Sequence, residues 1–138
     1  MSDQISKTQL SVTKHNGLGN DFLVLDRREA SALSNAQVSE IDWPNMARNW
    51  CNRKTGIGAD GLLLLGRIDA NTLTMRLFNS DGSLAEMSGN GIRCLAQAAH
   101  MADGLTSEVE YTVTTDAGER RVVVTPRAND SQTVDASV

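Results

Sequence analysis

Apolar positions along the chain follow two different spacings, and these spacings separate predicted strands from predicted helices. Short runs with alternating or continuous apolar residues predict strands. These runs are residues 10–15, 22–26, 61–65, 73–78, 110–115 and 120–125, with 132–138 as a candidate for one more strand. The last two of the six form a predicted hairpin around an Asp-Ala-Gly-Glu turn.

Two other segments carry the spacing of a helix. From Asn90 to Ala102, apolar residues fall on one helical face, and Asp103-Gly104 provides a stop. Apolar residues also recur at helical spacing within 35–50, although Pro44 predicts that this helix restarts near Trp43. Strands and helices mixed in this way predict an α+β fold, a mixed sheet with helices packed on it.

Length and charge narrow the class of protein. The chain has 138 residues, enough for one domain with a core, and we expect 1–9 to be a flexible lead-in to a domain at 10–138. A net charge of −4 without a basic cluster predicts no nucleic acid partner. The longest apolar run, 62–65, predicts no membrane span, and the start lacks the apolar segment of a signal peptide. Cys51 and Cys94 lack metal-site spacing, so we expect free thiols in the cytoplasm.

Three polar turns rich in asparagine and glycine lie at the ends of predicted elements. They are residues 16–21, 79–83 and 88–91. In the third, Ser88 is a candidate N-cap of the following helix. The glycines on both sides of Asn90 also leave backbone N–H groups at a helix start, where a carboxylate binds favourably. Each turn alone is typical of structure, but together they indicate a polar cavity for a small zwitterionic ligand.

Other motifs predict structure rather than chemistry. Gly56–Gly61 reads G-x-G-x-x-G, yet helical residues precede it and a strand follows, the reverse of the order in dinucleotide sites. We therefore expect a tight helix-to-strand connection there. We expect His100 at the surface or its boundary, Cys94 as a small buried apolar residue, and no metal site, because no carboxylate cluster is visible.

Four segments of the chain closely resemble the N-terminal half of diaminopimelate epimerases, in that family's order and spacing. The segments are Asn16–Asp26, Arg53–Leu65, Met75–Met87 and Ser88–Ala96. The resemblance covers about 12–128. It implies one lobe of a two-lobed fold in which a mixed, largely antiparallel sheet wraps around a central helix, with the active site in the cleft between the lobes.

The resemblance also implies an activity. Members of the family interconvert LL- and meso-diaminopimelate without a cofactor, in the synthesis of lysine and cell-wall precursors. One thiolate removes the α-proton and one thiol delivers a proton to the opposite face. Carried over by position, Asn20 and Asn79 are expected to bind the substrate, and Gly89 and Asn90 to hold its carboxylate. Ser88 occupies the place of the first catalytic cysteine.

The chain departs from the family in several places. An aliphatic hydroxyl is a far weaker acid than a cysteine thiol of pKa about 8.5, so Ser88 should not support efficient two-base epimerisation. The sequence stops at 138, before the second lobe and its cysteine. We therefore expect the chain to need a C-terminal lobe as partner and to be inactive alone, with a homodimer as a candidate assembly. The family's usual histidine is replaced by Asn16, with His15 one place earlier, and Gly61 replaces a side chain that touches substrate in some members.

The sequence leaves two alternatives open. One is another isomerase of the same superfamily, related to proline racemase or to PhzF. Those proteins tend to carry histidine where this chain has Asn90, and they match residues 17–22 poorly. The other alternative is a non-catalytic domain of the same fold that binds a ligand or associates with a partner, and Ser88 favours it.

Overall fold

The structure is a computed structural model that describes residues 12–17, 19–27, 41–86, 88–127 and 130–137. The expected lead-in at 1–9 and the part of the predicted helix before residue 41 lie outside these residues. The elements, in chain order, are β1 (Val12–Gly17), β2 (Asn20–Asp26), α1 (Trp43–Cys51), β3 (Gly61–Asp69), β4 (Thr72–Asn79), β5 (Leu84–Ala85), α2 (Gly89–Ala102), β6 (Val109–Thr115), β7 (Gly118–Arg127) and β8 (Asp130–Ser137).

In the described part of the chain, the strands form one eight-stranded sheet. Seven strands follow the order β1-β2-β3-β4-β6-β7-β8, and the short β5 pairs with β4. The pairs β2–β3 and β4–β6 are parallel, whereas the other pairs are antiparallel. The predicted α+β class with a mixed sheet is therefore confirmed, as are the hairpin β6–β7 and the candidate strand near the C-terminus.

The sheet curls around α2, which contacts the seven strands β1–β4 and β6–β8. Successive side chains of a strand point to opposite faces, so the sheet has two apolar faces. The face towards α2 holds Phe22, Val24, Leu63, Leu65, Met75 and Leu77, packed with Ile92, Leu95 and Ala99 of the helix. The face towards α1 holds Leu23, Leu25, Leu62, Leu64 and Phe78, packed with Ala47 and Cys51. The unbroken leucine run of β3 follows from this burial on both faces.

Helix α1 begins where the sequence predicts a restart. The Asp42 carboxylate accepts a hydrogen bond from the Asn45 N–H (3.1 Å) and caps the first turn. Pro44 has no backbone N–H, and none is needed there because the first N–H groups of a helix have no partner within it. The loop after α1 leads directly into β3, so Gly56–Gly61 is the expected helix-to-strand connection. A dinucleotide site needs a helix start at this point, and the chain has a strand instead.

The prediction for His100 was wrong. Its side chain is only 2% exposed, and its Nε2 lies 2.8 Å from the carbonyl oxygen of Ser107. The sequence pattern treats histidine as polar, but this hydrogen bond satisfies the ring nitrogen inside the protein. Among the described helices, none has the length and apolar character needed to cross a membrane.

Candidate functional site

Three strand ends and one helix start meet at the same end of the sheet. Gly61, the first residue of β3, pairs with Phe22 near the start of β2 and with Asn79 at the end of β4. The hairpin β1–β2 closes beside them, between Gly17 and Asn20. The start of α2 reaches this end too, because a direct side-chain hydrogen bond joins it to β2. The fold thus gathers the three polar turns that the sequence singled out.

The start of α2 is built around Ser88. Its backbone is extended (φ −146°, ψ 124°), and its Oγ accepts a hydrogen bond from the Gly91 N–H at 3.0 Å, so Ser88 is the N-cap. The Ile92 N–H donates to the Ser88 carbonyl oxygen at 2.9 Å. The N–H groups of Gly89 and Asn90 are the first two of the helix and have no role in its internal hydrogen bonds. They lie at the positive end of the helix dipole, which favours an anionic ligand.

A chain of side-chain hydrogen bonds joins β2 to α2. The Arg93 guanidinium donates to Asn90 Oδ1 at 3.1 Å, and Asn90 Nδ2 donates to Asn20 Oδ1 at 2.7 Å. Asn20 Nδ2 in turn donates to Asp60 Oδ2 at 3.2 Å. The structure therefore brings Asn20 and Asn90 into direct contact, although 70 residues separate them in sequence.

Asn79 lies at the same end of the sheet, but its own turn holds its side chain. Asn79 Nδ2 donates to Ser83 Oγ at 3.1 Å, and this hydroxyl donates to Asp81 Oδ1 at 2.6 Å. The turn is tied to the rest of the site by the Ser80 N–H, which donates to the Asp60 carbonyl oxygen at 3.1 Å. Since the amide nitrogen of Asn79 is turned towards Ser83, its oxygen can accept a hydrogen bond from a ligand.

A cluster of charged side chains lies next to Asn20 and contacts it through Asp60. The Arg53 guanidinium donates two hydrogen bonds to the Asp21 carboxylate (3.0 and 2.7 Å) and one to Asp60 (3.2 Å), while Lys14 Nζ lies 3.4 Å from Asp21. The hydrogen bonds from Arg53 hold the pKa of Asp21 well below its usual range. The sequence contains no local pattern that indicates this cluster. Arg53 and Asp60 lie in one family-like segment and Asp21 in another, but nothing local shows that they pair.

Asn16, at the position of the family's usual histidine, and His15, one place earlier, have different surroundings. The His15 ring is buried, with Nε2 2.8 Å from Thr13 Oγ1 and a side-chain hydrogen bond to Gln97 of α2. Burial lowers its pKa. Asn16 is exposed and pairs with Asp21 in the β1–β2 ladder. His15 therefore faces the helix rather than the end of the sheet where the turns meet.

Gly61 has no room for a side chain on this backbone. A Cβ placed on it would lie 2.9 Å from the carbonyl oxygen of Phe78 and 3.0 Å from Leu77. The absence of a side chain lets β3 and β4 approach closely at the site. Any part that Gly61 plays is limited to its backbone and to the shape it allows.

The two cysteines are free, as predicted, and both are buried, which the sequence predicted for Cys94 alone. Burial raises the pKa of Cys94 to about 12 and that of Cys51 to about 11. Neither thiol ionises near neutral pH, so neither is suited to act as a base. Within the described residues, His, Cys, Asp and Glu side chains form no group of three that could hold a metal ion.

Solved structures of an epimerase and of a PhzF-family protein share this fold. A hydroxyproline epimerase from Agrobacterium vitis, solved with bound trans-4-hydroxy-L-proline, superposes with a TM-score of 0.63 over 88% of this chain and 39% of its own, at 15% identity. A PhzF-family phenazine biosynthesis protein from Bacillus anthracis gives a TM-score of 0.59 over 87% of this chain and 37% of its own, at 16% identity. At such identities the likeness shows the fold alone.

Sequence relatives identify the family within this fold. The profile of the family described as diaminopimelate epimerase matches residues 12–137, and the chain therefore belongs to the diaminopimelate epimerase family. It is 40% identical over 129 residues to the diaminopimelate epimerase of Thermosynechococcus vestitus, covering 91% of this chain and 42% of the relative. It is 44% identical over 131 residues to that of a Cyanothece species, covering 91% and 43%.

The family match confirms the resemblance seen in the sequence and decides against membership among the proline racemases or PhzF proteins. The chain spans about two fifths of the length of these curated relatives. This share is consistent with a single lobe.

Proposed function

We propose that this chain supplies the N-terminal lobe of a cofactor-independent epimerase that interconverts LL- and meso-diaminopimelate. The proposal rests mainly on the hydrogen-bond donors at the start of α2. Two backbone N–H groups, of Gly89 and Asn90, and the amides of Asn20 and Asn90 come together there at the positive end of the helix. We also infer a cytoplasmic location and a place in lysine and cell-wall precursor synthesis, both from the family.

The proposed roles follow from the chemistry of inversion at an α-carbon. The helix start binds the α-carboxylate of the substrate through the Gly89 and Asn90 N–H groups. Removal of the α-proton moves negative charge onto that carboxylate, so donors held in place beforehand stabilise the charged intermediate. Asn20 adds a further amide donor, and the oxygen of Asn79 accepts a hydrogen bond from a substrate ammonium group.

The weak step in this chain is proton transfer. Ser88 stands at the proton-transfer position, but its hydroxyl is rarely ionised at neutral pH. Its oxygen already accepts the Gly91 N–H. We therefore propose that turnover needs two additions: a thiol at position 88 and a second lobe that supplies the acid for the opposite face.

The proposal is tested by joining the Ser88→Cys chain to the C-terminal lobe of the Thermosynechococcus vestitus relative. Exchange of the α-proton of diaminopimelate with solvent deuterium is followed by NMR. We expect exchange with cysteine at position 88, and exchange slower by about a hundredfold or more with serine or alanine there. The intact relative serves as the positive control. A fusion that folds by circular dichroism but gives no exchange with Ser88→Cys would contradict the epimerase proposal.

A non-catalytic ligand-binding domain is the second candidate, and the capping role of the Ser88 hydroxyl favours it. Titration of the nitrogen-15-labelled chain with meso-diaminopimelate separates the two candidates. Saturable shifts of the Gly89 and Asn90 backbone resonances, together with no exchange in the Ser88→Cys fusion, would favour binding without catalysis. The matched control ligand is 1,5-diaminopentane, which has both amines but no carboxylate and should leave these resonances in place.

A further inference from the structure

We propose that Asp60 is a positioning residue that fixes the orientation of the Asn20 amide and, through it, that of Asn90. In this orientation both amides keep an N–H group for an oxygen of the ligand. The identity of that ligand, diaminopimelate, rests on the proposed function, whereas the orientation itself rests on the hydrogen bonds of this chain.

The direction of the hydrogen-bond chain is set by the charges at its two ends. A carboxylate only accepts hydrogen bonds and a guanidinium only donates them. Asn20 must therefore turn its nitrogen towards Asp60, which leaves its oxygen for Asn90 Nδ2. Asn90 turns its oxygen towards Arg93. If either amide turned over, two donors or two acceptors would face each other.

The orientation leaves a defined set of donors at the helix start. Each amide nitrogen carries two N–H bonds, and the chain of hydrogen bonds uses one from Asn20 and one from Asn90. Among the described residues, the second N–H of each amide has no hydrogen-bond partner and is available to a ligand, next to the backbone N–H groups of Gly89 and Asn90. A site rich in donors and poor in acceptors recognises a carboxylate.

Asp60 itself is held in place from several sides. Its Oδ2 also accepts the Asp21 N–H at 3.0 Å, and its Oδ1 accepts a hydrogen bond from Arg53 at 3.2 Å. Its backbone N–H donates to the Asp21 carbonyl oxygen at 2.9 Å, and its own carbonyl oxygen accepts the Ser80 N–H. The carboxylate therefore has both a fixed position and a nearby positive charge, as a residue that orients a neighbour requires.

The first test measures orientation without any activity. In Asp60→Asn the side chain keeps its size but can donate as well as accept, so the Asn20 amide is able to turn over. In the nitrogen-15-labelled chain we expect the side-chain NH₂ resonances of Asn20 and Asn90 to shift or broaden. The control is Asp116→Asn, which removes an exposed carboxylate near Arg76 and should leave them unchanged. Unchanged Asn20 and Asn90 resonances in Asp60→Asn would overturn the proposal.

The second test uses the fusion that carries Ser88→Cys. Adding Asp60→Asn should lower kcat/KM by about tenfold, mainly by raising KM, as expected for a hydrogen bond to a charged group. In a background that already has Asn20→Ala, the same change should have no further effect. Equal effects in both backgrounds would mean that Asp60 acts only through general stability. If the fusion shows no exchange at all, the proposed function fails, and the NMR test still decides on the role of Asp60.

Discussion

Ser88 has a structural role at the position where we propose proton transfer. Its oxygen accepts the Gly91 N–H and caps α2, a role for which serine is among the preferred residues. Proton abstraction would need the same oxygen as an anion. Serine therefore preserves the helix start that we propose to bind a carboxylate, and we expect it to weaken the proposed proton transfer.

The capping role predicts a measurable loss of stability. We expect Ser88→Ala to lower the free energy of unfolding by about 1 kcal/mol, because the Gly91 N–H loses its acceptor. Ser88→Asp, the matched control, keeps an acceptor and should be as stable as the native chain, since a negative charge is favourable at a helix N-terminus. Urea unfolding at neutral pH measures both. Equal stability of Ser88→Ala and the native chain would contradict the capping role.

The buried thiols predict a contrast in reactivity. Because burial raises the pKa of Cys51 and Cys94, neither should react with Ellman's reagent at neutral pH while the chain is folded. After unfolding in urea, both should react. Ser88→Cys should add one fast-reacting thiol at the helix start, where a thiolate is stabilised. Rapid reaction of either native cysteine in the folded chain would show that the burial is incomplete.

The ion pair between Asp21 and Arg53 joins β2 to the loop that follows α1. The Asp21 side chain is 15% exposed, whereas that of Arg53 is 55% exposed, so solvent and salt weaken the pair. The pair matters chiefly because it places Asp60, which contacts both residues, against Asn20.

The lowered pKa of Asp21 predicts how stability depends on pH. A carboxyl whose pKa is lower in the folded state stabilises that state fully above its unfolded pKa of about 4. The contribution is lost as the pH falls from there through the folded value. We therefore expect the native chain to be more stable than Asp21→Asn at pH 7, and this difference to shrink towards about pH 2.5. Urea unfolding across this range measures it. A difference that stays constant with pH would contradict the ion pair.

The loop between α1 and β3 depends on a close approach at Gly56. A Cβ at this position would lie 2.8 Å from the carbonyl oxygen of Trp50 and also against that of Asn49. We expect Gly56→Ala to lower the free energy of unfolding by about 1–3 kcal/mol. Gly89→Ala is the matched control, since its Cβ would make an ordinary van der Waals contact with the Arg93 side chain at 3.7 Å. Similar stability of the two variants, measured by thermal unfolding, would contradict this account of the loop.

Elements with strong local patterns were predictable from the sequence, and long-range pairings were not. Helix α2 was predicted because its apolar residues repeat with a helical period, and the central strand β3 because its apolar run is short and continuous. The contact of Asn20 with Asp60, 40 residues away, leaves no local pattern. His100 was misplaced for a similar reason, because the carbonyl group of Ser107 that satisfies it lies beyond the end of the helix.

The arrangement of one sheet around one helix explains why the candidate site lies at one end of the sheet. The parallel pairing of β2 with β3 and the antiparallel pairing of β3 with β4 bring two strand starts and one strand end together. Helix α2 runs through the middle of the curled sheet, and its N-terminus reaches that same end. The site roles of Asn20, Asn79, Ser88, Gly89 and Asn90 stay predictions, as does a homodimer.

Without a second lobe, the chain should lack one of the two groups that the proposed proton transfer needs. Inversion at a carbon by two bases needs one group on each face of that carbon. Among the described residues, a thiol at position 88 would provide one, while Cys51 and Cys94 are buried with raised pKa values. We therefore expect Ser88→Cys alone to exchange the α-proton of diaminopimelate at least about a hundredfold more slowly than its fusion to a second lobe. Deuterium exchange followed by NMR compares the two at equal concentration. Equal rates would show that a single lobe carries out proton transfer, and that the second lobe is not the source of the missing acid.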